Sequence, residues 1–136
     1  MRTGLQKVAI GCVLFVAFLL TSCLPEDDVK SSLTGLTSFG FTADENIPGL
    51  ENIEFNIDAL NRTITNSVPL PYNSDVTSLI ATFEAIEKTT VTVDGIVQES
   101  GVTANDFSRT LNYVVTAENG WTEITYEVKV KVSQVE

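Results

Sequence analysis

The constraint that bears hardest on this chain is the two-residue rhythm of its last stretch. Tyr126, Val128, Val130 and Val132 alternate with Glu127, Lys129 and Lys131. Successive side chains of a strand point to opposite faces, so this stretch has one dry face and one wet face. A helix would scatter the same valines around its circumference. The same rhythm recurs upstream. Phe39 and Phe41 share a face of Leu36–Phe41, and Ile53, Phe55 and Ile57 alternate with Glu54 and Asn56. Leu79, Ala81 and Phe83 form another such set, and Leu111, Tyr113 and Val115 lie on one face of Phe107–Ala117. Arg62–Val68 reads as a strand with Ile64 and Val68 as its apolar points. Its polar middle, Thr65-Asn66-Ser67, predicts a short strand or an edge.

Turn chemistry separates these segments. Pro48-Gly49 closes the loop 43–50, and Asp58-Ala59-Leu60-Asn61 turns the chain. Pro69 and Pro71 bar regular structure from Pro69–Asp75, and Asp75 is placed to cap one helical turn through Leu79. Asp94-Gly95, between two β-branched runs, is the strongest hairpin signal, because a tight turn needs positive φ at both positions. Ser100–Asp106 is a loop, and Glu118-Asn119-Gly120 reverses the chain once more. About seven short strands, with turn signals roughly every 8–12 residues and no amphipathic helix, predict an all-β, two-sheet sandwich.

The N-terminus has a different grammar. Arg2 and Lys7 precede the uncharged apolar run Val8–Leu20, which is too short to span a bilayer, where ~20 residues are needed. Leu20-Thr21-Ser22-Cys23 then resembles a bacterial lipobox. That resemblance implies a lipoprotein signal peptide over residues 1–22, cut before Cys23, with diacylglycerol on the Cys23 thiol and an acyl group such as palmitate on its amine. Several acyl chains, at ~0.8 kcal/mol per buried methylene, hold a protein on a bilayer where one holds it only marginally. The acids Glu26, Asp27 and Asp28 behind Cys23 resemble the signal that exports some Gram-negative lipoproteins to the outer face of the outer membrane. The expected organisation is a signal peptide over 1–22, a lipidated Cys23 and flexible acidic tether over 23–33, and a sandwich over 34–136. The expected location is the outer membrane, lipid-anchored and exposed at the cell surface.

The precursor carries a formal net charge of −10. Loss of Arg2 and Lys7 makes the mature chain more acidic still, at about −12. Such a chain lacks the basic patch that nucleic-acid binding needs, and it repels anionic headgroups, so the lipid must do the anchoring. There is no His, Cys12 leaves with the signal peptide, and Cys23 is acylated. His-based triads, Cys nucleophiles, zinc sets and internal disulfides are thereby excluded, and no cofactor or metal is expected. Carboxylates alone leave a glycosidase formally open. Calcium ligands are conceivable among Asp44, Glu45, Asp75, and Asp106 with Glu118, although no Asp-x-Asp-x-Asp spacing supports them. Two aromatics are the candidate ligand-binding residues. Trp121 follows a turn, and Tyr72 sits in the Pro-rich loop. Each either stacks on a sugar face or folds inward over the core. Lys129 and Lys131 read as a charged outer face that discourages edge pairing.

Five segments together resemble the Ig-like (cadherin-like) repeat of bacterial surface lipoproteins. They are Leu36–Phe41, Val68–Phe83, Val91–Gly95, Gln98–Ser108, and Tyr113–Gly120 with Tyr126–Val128. Ser100-Gly101 leading to Asn105-Asp106-Phe107, and Thr116-Ala117-Glu118-Asn119-Gly120, are the most specific parts. The resemblance departs from the usual pattern in an expected single copy without an attached enzyme domain. Trp121 stands where a small polar residue is usual. The resemblance implies an immunoglobulin-like β-sandwich with no activity of its own, found near glycan-handling machinery. The expected role is therefore a non-enzymatic binding or scaffolding component of an envelope assembly, with the membrane reached through the lipid on Cys23 and an envelope protein or a glycan as partner. The runner-up is a carbohydrate-binding lipoprotein of a glycan-uptake system that uses loop aromatics.

Overall fold

Alternation becomes sheet wherever the sequence shows it. The computed structural model describes residues 29–42 and 46–134. Seven strands of four or more residues lie in that range: β1 (Leu36–Phe41), β2 (Phe55–Asp58), β3 (Thr63–Asn66), β4 (Leu79–Ala85), β5 (Thr90–Val93), β8 (Leu111–Thr116) and β9 (Glu123–Lys129). Two strands of two residues complete the set, β6 (Ile96–Val97) and β7 (Ala104–Asn105). Among the described residues the only helical element is a 3-10 turn at Leu50–Asn52, which buries Leu50. Ser31–Glu136 forms one compact unit. The expected signal peptide, Cys23, and the acids Asp44 and Glu45 lie outside the described residues.

The strands form two sheets, ordered β2-β3-β9-β8-β5-β6 and β1-β4-β7. Their inner faces share one aromatic core. Phe39 on β1 meets Tyr113 on β8 edge-to-face, ring centroids 5.4 Å apart, and Phe41 meets Phe55 at 5.1 Å and Phe107 at 5.4 Å. Each such ring contributes about 1.5–3 kcal/mol by burial, and each pair adds roughly 0.5–1.5 kcal/mol from its geometry. The fold is an all-β sandwich.

The last strand lies inside its sheet. β9 runs antiparallel to β8, with Tyr126 opposite Tyr113, and parallel to β3, with Val128 opposite Ile64. Lys129 and Lys131 are exposed and guard no edge along β9. Of the two readings of β3, the short strand holds at four residues, and the edge does not, because β2 and β9 flank it. Its polar middle has a structural use. Asn66 is fully buried; its Nδ2 donates to Val68 O (2.8 Å) and Lys131 O (2.9 Å), and its Oδ1 accepts from Lys131 N (2.8 Å). One amide thus satisfies the backbone where regular pairing of β3 with β9 stops.

Three local expectations change. Val68 is 60% exposed, because the strand ends at Asn66 and the chain swings out toward Pro69. Asp75 caps no helical turn; its Oδ1 accepts from the Thr77 N–H (3.0 Å) and hydroxyl (2.6 Å), closing an Asx turn into β4. The strand expected from Phe107 starts at Leu111. Phe107 sits in the preceding loop, 1% exposed, and plugs one end of the core.

Candidate functional site

The turn between β8 and β9 is built by Asn119. Its Oδ1 accepts from Trp121 N (3.0 Å) and Thr122 N (2.9 Å), and its Nδ2 donates to Thr122 Oγ1 (2.8 Å). Gly120 takes φ of 86°, and its N–H donates to Ala117 O (2.9 Å). With its backbone so fixed, Trp121 projects outward and is 78% exposed, so it does not cover the core. The same turn grips the start of the compact unit. The Ser31 N–H donates to Glu118 Oε1 (2.9 Å), and the Asn119 N–H donates to Ser31 O (3.0 Å). Thr34 adds a hydroxyl bond to Val115 O (2.6 Å), and Lys88 Nζ lies 3.8 Å from Glu118 Oε2. The end of the sandwich where the chain enters is therefore the end that displays Trp121.

Tyr72 belongs to the opposite end. Leu70 forms a bridge to Val132, beyond the far end of β9, where Leu70 N donates to Lys131 O (2.9 Å) and Ser133 N to Leu70 O (2.8 Å). Pro71 O receives the hydroxyl (2.6 Å) and N–H (3.2 Å) of Ser74, which folds the loop so that Tyr72 stands 57% exposed. Pro69 and Ser74, on either side of Tyr72, line an open cleft of about 740 Å³ with Val76, Phe107, Ser108 and Lys131. Trp121 and Tyr72 bracket β9 and its extension, about ten residues at ~3.4 Å each, so roughly 30 Å of strand separates them. They cannot grip one ligand together. Both are solvent-facing aromatics, at opposite ends of the sandwich.

The acids do not gather. Asp106 and Glu118 lie beyond opposite ends of β8, which removes that calcium pairing. Among the described residues no three of His, Cys, Asp or Glu are placed to hold a metal. The individual aspartates work as turn fasteners. Asp58 accepts from the Asn61 N–H, the Asn61 side chain and the Leu60 N–H, and those bonds hold its carboxyl below the usual value, Asn61 contributing most. Asp75 is lowered by the hydroxyl and N–H of Thr77. Asp106 is lowered by the hydroxyl and N–H of Ser108, with Arg109 assisting and neighbouring Asp75 opposing. A carboxyl held ionised in this way is the opposite of a poised general acid.

Two features were not legible in advance. One is the cleft at the Tyr72 end, where Val76, Phe107 and Lys131 converge from distant segments. The other is the Ser31–Glu118–Asn119 clamp; its only sequence signal is the Glu-Asn-Gly turn itself.

The model of a domain of unknown function, the DUF6242 N-terminal domain, matches residues 28–130. The chain belongs to this family. A solved structure described as a putative glycoside hydrolase from Bacteroides thetaiotaomicron is similar to this DUF6242 domain, with a TM-score of 0.55 at 22% identity. The match covers 80% of this chain and 28% of that one, so the DUF6242 domain spans under a third of that protein's length. At such identity the likeness speaks for the fold. No curated protein matches the chain.

Proposed function

We propose that this DUF6242 domain is a non-enzymatic, lipid-anchored module of the outer membrane, with an immunoglobulin-like sandwich that serves as a binding or scaffolding part of an envelope assembly. The observation that carries the reading is the polarity of the sandwich. The chain enters at Ser31, clamped at one end, and an open cleft lies at the other, lined in part by Pro69 and Ser74 of the loop that carries Tyr72. A tether from a lipidated Cys23 would leave that cleft facing away from the bilayer. The use of Asp58, Asp75 and Asp106 as turn fasteners argues against carboxylate catalysis. A glycan-handling setting draws support from the protein described as a glycoside hydrolase, which devotes part of its length to a similar fold.

A photo-crosslinking residue at Tyr72, with a second at Asn112 on the exposed face of β8 as control, tests the reading in intact cells. A discrete envelope adduct from position 72 and none from position 112 is the expected result. Equal labelling, or none, sinks it. Fatty-acid labelling that survives Cys23→Ala removes the anchor.

The carbohydrate reading is favoured by one specific observation, the exposed Tyr72 ring on the loop whose Pro69 and Ser74 line the cleft. Retardation in a polysaccharide gel that disappears in Tyr72→Ala would establish it over a protein partner.

A further inference from the structure

We infer that Trp121 is a second, reversible membrane contact, and that its ring enters the headgroup region of the bilayer to which the chain is anchored. The inference rests on the lipid anchor at Cys23 proposed above. Three observations carry it. First, Trp121 is 78% exposed on a turn whose backbone is fixed by Asn119, so the side chain leaves the turn toward solvent. Second, that turn is the one that clamps Ser31 through Glu118 Oε1 and the Asn119 N–H. Third, only eight residue steps separate Ser31 from Cys23. A fully extended chain covers at most ~3.3–3.6 Å per residue, so those steps reach no further than about 26–29 Å. Whatever path the tether takes, Ser31 is held within that distance of an acylated Cys23, and the Asn119 backbone bonded to Ser31 keeps the Trp121 turn only a few residues' span further off.

The chemistry of the contact follows. An indole is an apolar body with one N–H donor, and such rings settle at the level of lipid headgroups. Leu33, 66% exposed and two residues from the clamp, adds apolar surface on the same end. One ring and one leucine bind a free bilayer weakly. Tethering makes the encounter intramolecular, at millimolar effective concentration, which is the regime where a weak contact becomes populated. The surrounding charge gives anionic lipid little net attraction, because Lys30 and Lys88 stand near Glu118 and the unit is acidic overall. The occupant is therefore a neutral or zwitterionic interface. The same placement makes Trp121 a poor platform for a glycan approaching from outside, and it orients the Tyr72 cleft outward.

Trp121 is the sole tryptophan, so native fluorescence reports on it alone. The lipidated full chain is reconstituted into zwitterionic phosphatidylcholine vesicles, with and without bromine on the acyl chains near the glycerol. The expected result is co-flotation, a blue-shifted emission, and quenching by the brominated lipid. Co-flotation with water-like, unquenched emission overturns the inference and leaves the anchor standing. Failure of the wild-type chain to float removes both. Emission that answers to added polysaccharide and not to brominated lipid assigns Trp121 to a glycan and overturns the inference as well.

Discussion

At the scale of single residues, the buried polar atoms carry the sharpest consequences. Asn66 satisfies three backbone groups near the end of β3. Asn66→Ala leaves Val68 O and Lys131 N without their side-chain partner, while Lys131 O keeps its bond from Leu70 N, and each unmet buried group costs ~1–3 kcal/mol. With some relaxation, a loss of roughly 2–4 kcal/mol in urea unfolding is expected. A loss within error would show that water replaces the amide. Tyr113 gives a pH signature. Burial pushes its hydroxyl well above its usual 10.0, against a weak opposing bond from Asn105 Nδ2 (3.4 Å). A raised folded-state value means stability that is intact below pH 10 and lost as the unfolded chain ionises above it. Tyr113→Phe should flatten that alkaline loss, measured as melting temperature against pH. The three aspartates give the opposite sign. Their folded-state values lie below 3.8, so their contribution is present above that pH and disappears as acid protonates them. Asp58→Asn should lower the melting temperature slightly at neutral pH and leave a shallower acid limb.

Among the elements, the hairpin β5–β6 shows what local chemistry can specify. Asp94 and Gly95 take φ of 52° and 81°, as the tight turn demands, and Val93 pairs with Ile96. Nothing lies near a Cβ built on Gly95, so Gly95→Ala pays only for backbone conformation, about 1–2 kcal/mol. Gly35, leading into β1, has φ of 142°, and a Cβ there would come 3.2 Å from the Tyr126 hydroxyl that accepts from Leu36 N. Gly35→Ala should therefore destabilise more than Gly95→Ala in parallel urea titrations; the reverse order would discredit the packing of β1 on β9. The same contrast explains what the sequence revealed. Alternation and turn residues are local, so the faces of β1, β2, β4, β8 and β9 were readable. The parallel pairing of β9 with β3 joins residues more than sixty apart, and no local signal encodes it. Asn66 misled because a polar residue in a strand ordinarily faces water. Phe107 misled differently: its apolar character announced burial, but a loop buries a ring as well as a strand does. Trp121 and Tyr72 stood out by type and position, yet only the turns built by Asn119 and Ser74 decide that both rings point outward.

The whole molecule is held by its core against its own charge. Between residues 31 and 136 there are five basic and fifteen acidic side chains, a net charge of −10. Among the described residues only Lys88–Glu118 and Asp94–Arg109 form ion pairs, both with exposed members. Exposed pairs contribute ~0–1 kcal/mol each, too little to offset repulsion spread over the surface. No cysteine lies in this range, so no disulfide resists the repulsion either. The balance rests on the aromatic core, which salt does not weaken. Screening length shortens from ~30 Å at 0.01 M to ~10 Å at 0.1 M, a change that removes repulsion between acids on opposite faces and spares the short Arg109–Asp94 contact. The melting temperature at pH 7 should therefore rise between those ionic strengths with sodium chloride, and a reductant should leave it unmoved. A melting temperature that falls with salt would mean that ion pairs, and not the core, dominate the balance. In that case Arg109→Ala should cost far more than the surface value, which the same titration on that variant would reveal.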